Sequence, residues 1–173
     1  MSKKSLYYNS WIVLLAVTIY TIIRLISQPK FTFHAMFDLE KASSDESFRN
    51  AMTTHGLTDQ WVETFMYNDY LLILAFTALF YLSIKVIVYS DRVKKRSFLG
   101  IFSLIPGFFD TLQNLLALEI VNHNGLKSHF SAYTTVVWIK WMMFIPFVIL
   151  VLFALKIQIL RLFKKTAAVQ EEI

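Results

Sequence analysis

Apolar side chains along this chain collect into four long blocks, at about 11–27, 69–89, 98–121 and 134–160, with polar stretches between them. A helix needs about 20 mostly apolar residues to cross a hydrocarbon core about 30 Å thick, because it rises about 1.5 Å per residue. The blocks match that length, so the pattern predicts an all-α integral membrane four-helix bundle. Residues 1–173 read as a single domain. The fourth block exceeds what the core requires and is expected to tilt or to emerge from the membrane. The first block follows Lys3 and Lys4, as a signal peptide would, but no small-x-small cleavage site follows Ser27. It is read as a retained helix.

The main polar segment lies between the first two blocks, at 28–68, and is expected to be partly helical and to lie outside. Pro29 forces the preceding residue out of helical conformation and should end the first helix. Ser43 with Glu46 fits a capping box opening a short helix through Arg49 and Met52, which should stop near His55 and Gly56. Thr58 reads as a second N-cap, with Leu57 and Val62 as a hydrophobic staple, so helix can run through Trp61 and Phe65 into the second span. Asp38, Glu40, Asp45, Glu46, Asp59 and Glu63 make this segment acidic, which suits a solvated lid.

Composition supports the membrane reading and then refines it. The chain is 56% hydrophobic and only 17% charged, with a mean hydropathy of +0.51; soluble domains carry roughly a quarter of their residues as charges. The formal charge of +5 does not indicate nucleic acid, because the cations are sided. Lys3, Lys4, Arg92, Lys94, Lys95, Arg96, Arg161, Lys164 and Lys165 share one side if four helices alternate. Only Lys30, Lys41, Arg49 and Lys127 are spread over the other. This bias predicts cytoplasmic N and C termini, as in a bacterial inner membrane. The basic second loop would also attract anionic lipids of the bilayer. Tyr7, Tyr8, Trp11 and Tyr89 at the inner ends, and Tyr67, Tyr70, Tyr133, Trp138 and Trp141 at the outer ends, are expected to anchor the helices at the interfaces.

The candidate chemistry lies in polar residues inside the apolar blocks. Asp110, Gln113 and Asn114 share a face in the third span, and that face extends as Ser103, Gly107, Asp110, Asn114 and Ala117. Small and polar residues at this spacing mark a face packed against other helices. Lys140 lies about two turns inside the fourth span. A charge at mid-bilayer costs at least about 2.5–3.5 kcal/mol, so it is expected to pair or to line a wet cavity. An Asp110–Lys140 pair is therefore predicted, with Gln113 and Asn114 adding hydrogen bonds. Arg24, Asp69 and Glu119 fall in the same half of the membrane and complete a candidate ligand-binding set in an outward-facing pocket. Pro106 and Pro146 would kink helices three and four beside it, freeing the carbonyls of Phe102 and Met142.

Other chemistries have no support. With no cysteine, thiol redox, haem attachment and thiolate metal sites are excluded, and with them the four-helix quinone-linked disulfide oxidoreductases. His34, His55, His123 and His129 match no compact zinc signature, although His34 and Asp38 have chelating spacing. No metal or cofactor is implied. An Asp opening the second span (Asp69), a D-x-x-[EQ]-N in the third (Asp110, Gln113, Asn114) and a Lys-Trp in the fourth (Lys140, Trp141) resemble a family of small, functionally uncharacterised bacterial four-span membrane proteins. Gln113 departs from the commoner Glu and weakens a carboxylate-pair mechanism. The long first loop and short basic second loop give a likeness, in layout only, to the sterol-isomerase and sigma-2-receptor superfamily. Two functions are carried forward. One is binding or processing of a lipid-like, amphipathic small molecule; the other is an accessory subunit or homo-oligomer packing through helix three.

Overall fold

The structure is a computed structural model and describes residues 3–90, 97–122 and 127–170. Within these residues it is all helical: α1 (Lys3–Ile26), α2 (Phe33–Lys41), α3 (Asp45–Thr54), α4 (Asp59–Ser90), α5 (Leu104–Asn122) and α6 (Lys127–Gln170), with a 3-10 helix, Ser97–Ser103, leading into α5. α1, α4, α5 and α6 are each long and apolar enough to cross a membrane, and the chain is an integral membrane protein. At about 1.5 Å per residue, α6 is about 65 Å long and extends well beyond a hydrocarbon core of about 30 Å. The basic positions Arg92, Lys94, Lys95 and Arg96, together with His123, lie outside the described residues, as do the side chains of Lys3, Lys4, Tyr89, Lys127, Lys164 and Lys165.

α2 and α3 form a packed cap over one end of the bundle. α1 ends at Ile26, and the chain turns through Pro29 and Lys30, the latter at φ 65°. Thr32 then caps α2 by accepting a hydrogen bond from the Ala35 amide. This nine-residue helix was not expected from the sequence. α3 starts one residue later than its predicted cap: Ser44 is the N-cap, and its reciprocal partner is Ser47 rather than Glu46. α3 stops at Gly56, whose φ of 62° favours a residue without a Cβ. Thr58 caps α4 through the Trp61 amide, as its position suggested, and α4 then runs unbroken into the span. Leu39, Phe48, Val62, Phe65, Ile120, Phe130 and Tyr133 join the cap to α4, α5 and α6 in one apolar core. Arg49 ties α3 to the start of α4 through Asp59 at 2.7 Å.

The other end of the bundle has its own core, where Tyr8 and Trp11 of α1 meet Leu79 and Val86 of α4 and Ala154 of α6. Trp11 Nε1 donates to Ser83 Oγ at 2.7 Å, and Gln158 Nε2 donates to the Tyr8 carbonyl at 3.0 Å. Tyr8, Trp11 and Tyr133 are thus buried packing residues and not interfacial anchors. Their rings are large enough to fill the helix junctions, and each junction supplies polar partners for the ring's handle or backbone. Tyr67 and Trp138 are exposed, as anchors would be.

The stripe of Ser103, Gly107, Asp110, Asn114 and Ala117 is buried, as its spacing predicted. Its neighbour at Gly107 is α4: a Cβ there would collide with Thr77 Oγ1. The small-residue face of α5 is therefore covered within the chain. Pro106 is the third residue of α5, directly after the 3-10 helix, and so lies at the start of the α-helix and not in its middle. In the first turn its missing N–H costs no intrahelical bond. α6 continues as helix through Pro146.

Candidate functional site

α1 and α6 are hydrogen-bonded through Tyr8 and Gln158 at the end away from the cap. Between them lies a cavity of about 430 Å³, bounded by α1, α2, α4, α5 and α6. Its walls are mostly apolar, with Ile22 and Leu25 from α1, Phe37 from α2, Phe76 and Phe80 from α4 and Phe144 from α6. Ile22, Phe33, Phe37 and Val148 line it and are themselves exposed, so it opens sideways between α1 and α6.

One end of the cavity is charged. Asp110 Oδ1 lies 3.3 Å from Lys140 Nζ, which is the pair expected from the sequence. The stronger partner of Lys140 is Glu40 on α2, at 2.6 Å. Glu40 also accepts from Gln113 Nε2 at 3.2 Å and from Trp141 Nε1 at 2.9 Å. Glu40, Asp110 and Lys140 are only 7–8% exposed. The acidic loop read from the sequence as a solvated lid thus sends one carboxylate into the bundle. That placement has a physical reason: an ammonium removed from water needs charge compensation and hydrogen bonds on more than one side, and Asp110 alone gives one contact. Next to this group, Asn114 Nδ2 donates to Asp69 Oδ2 at 2.9 Å. Asp69 lies ten residues inside α4, because that helix begins at Asp59 and not at the membrane boundary.

Five of the seven sequence-derived candidates, Asp69, Asp110, Gln113, Asn114 and Lys140, line this one cavity. Arg24 and Glu119 do not. On α1 the cavity face runs through Thr18, Ile22 and Leu25, and Arg24 sits about 200° around the helix from Ile22, on the exposed side. Glu119 is likewise turned about 140° from Asn114 on α5. Glu40 and Trp141 were missed as site residues. A signal for Glu40 existed: Phe33, Met36, Phe37 and Glu40 fall at helical spacing on one face of α2, so an acid shares the apolar stripe.

A second polar group holds the cap together and is separate from the cavity. His55 Nε2 donates to Asp38 Oδ2 at 2.8 Å, joining the end of α3 to α2. This hydrogen bond holds the Asp38 carboxyl below its ordinary range, aided by the nearby His34, 3.7 Å away. Lys30 Nζ donates to the Gly56 carbonyl at 2.6 Å, and Trp61 Nε1 donates to the Pro29 carbonyl at 2.7 Å. Among the described residues, no group of three or more His, Asp or Glu side chains is arranged to hold a metal ion.

The cavity's side chains are suited to polar recognition. Its described lining offers carboxylates, amides and one ammonium, and its hydroxyl, Thr18 Oγ1, is committed to the Leu14 carbonyl at 2.8 Å. Comparison with protein-family models, curated proteins and solved structures gives no match.

Proposed function

We propose that this protein binds a lipid-like, amphipathic small molecule in the cavity beneath its cap, with the polar end at Glu40, Asp69, Asp110 and Lys140. The supporting observation is the cavity itself: about 430 Å³, apolar along most of its wall, charged at one end and open sideways between two spanning helices. Ligand sites of this kind pair an extensive apolar lining with a few convergent polar groups that fix orientation. An opening between α1 and α6 would admit a ligand from the bilayer without passage through water. The proposal includes a bacterial inner-membrane location with cytoplasmic termini, which rests on the sided cations of the sequence.

The test is the load of amphiphile carried by purified protein. Solvent extracts of wild-type protein in a maltoside detergent should contain a discrete amphiphile in a near-constant ratio to protein. Ile22→Trp and Val148→Trp, which fill the cavity from α1 and α6, should abolish it while leaving the fold intact by circular dichroism. Equal loads in wild type and both variants would overturn the proposal.

A further inference from the structure

We infer that the ligand of this cavity carries a cationic headgroup, an ammonium or a related nitrogen cation; the inference rests on the amphiphile-binding reading above. Four ionisable side chains line the cavity, and three of them, Glu40, Asp69 and Asp110, are acids. The one base, Lys140, lies closest to Glu40, and Glu40 already accepts from three donors. Asp110 keeps a longer contact to a cation already taken up elsewhere. Asp69 accepts through Oδ2 from the neutral Asn114, and among the described residues no donor meets its Oδ1.

Two further observations bear on this excess of acid. Gln113, buried to 98%, spends its amide nitrogen on Glu40, and its amide oxygen is shut off from the cavity. The acceptors left open at this end of the cavity are the remaining oxygens of Asp69 and Asp110. Around them stand aromatic rings, including Phe76, Trp141 and Phe144. An ammonium is attracted to such faces, and Lys140 already places its Nζ 5.0 Å from the Trp141 ring centroid. A cationic headgroup would fill the unused acceptors and balance the carboxylates. An anionic headgroup would meet these acids in a low-dielectric site whose lysine is already held by Glu40.

The experiment compares three probes with one chain length: dodecylamine, dodecanol and dodecanoate, titrated onto protein in a maltoside detergent and counted as adducts by native mass spectrometry. Dodecylamine should bind at least about tenfold more tightly than dodecanol, with dodecanoate weakest. Asp69→Asn and Asp110→Asn should each lower the affinity for the amine more than that for dodecanol, so that the ratio between the two narrows. Ile22→Trp should abolish binding of all three. If dodecanol or dodecanoate equals the amine and Ile22→Trp still abolishes binding, the cationic inference fails and the amphiphile-binding reading stands. If no probe binds saturably, or Ile22→Trp has no effect, both fail.

Discussion

Lys140 is a single cation shared by two carboxylates, and this makes the cost of removing each member unequal. Lys140→Met would leave Glu40 and Asp110 buried together without a counter-charge, a loss of about 3–5 kcal/mol. Asp110→Asn keeps the 2.6 Å contact between Glu40 and Lys140 and should cost only about 1–2 kcal/mol. Glu40→Gln should fall between them, since Asp110 remains for Lys140. For an isolated Asp110–Lys140 pair, neutralising both would restore stability. Here the Asp110→Asn/Lys140→Met double variant still buries Glu40, so most recovery should need Glu40→Gln as well. Thermal unfolding in detergent reads the series. Equal losses for Lys140→Met and Asp110→Asn would show that Glu40 does not share the lysine.

At the scale of elements, the cap was the least legible part of the chain. α3 and the start of α4 could be placed because Ser, Thr and Gly mark helix ends through backbone hydrogen bonding that needs no distant partner. α2 was missed because it is short and its apolar face is interrupted by Glu40, whose partners lie about 70 to 100 residues away. The cap should also respond to pH through Asp38. Its carboxyl titrates below the ordinary value of 3.8 in the folded protein, so the contact with His55 stabilises the cap fully above 3.8. That contribution is lost as pH falls from 3.8 through the depressed folded value. Amide exchange in α2, corrected for intrinsic rates, should therefore accelerate below about pH 4, and Asp38→Asn should raise exchange at neutral pH and flatten that dependence. An unchanged acid profile in Asp38→Asn would show that Asp38 does not set the response.

The described residues form a bundle capped at one end by α2 and α3, and the sided cations of the sequence predict its orientation. The native chain has no cysteine, so single cysteines can be read without background. Glu46→Cys in the exposed first turn of α3 should react with an impermeant maleimide in intact cells, and Arg92→Cys only after lysis. The reverse pattern would invert the topology. The number of spans and the helical class were determined by the sequence, because a membrane core imposes a minimum apolar length and requires backbone groups to be satisfied within each span. The buried stripe of α5 was equally legible, since helical periodicity alone puts its residues on one face. Which carboxylate meets Lys140 was decided only by the tertiary structure. Charges interact through space and not along the chain, so Glu40 became part of the site when α2 folded back over the bundle and met α5 and α6. The same holds for the cavity: it is enclosed by side chains of α1, α2, α4, α5 and α6, and no local pattern specifies how helices so far apart in sequence are spaced.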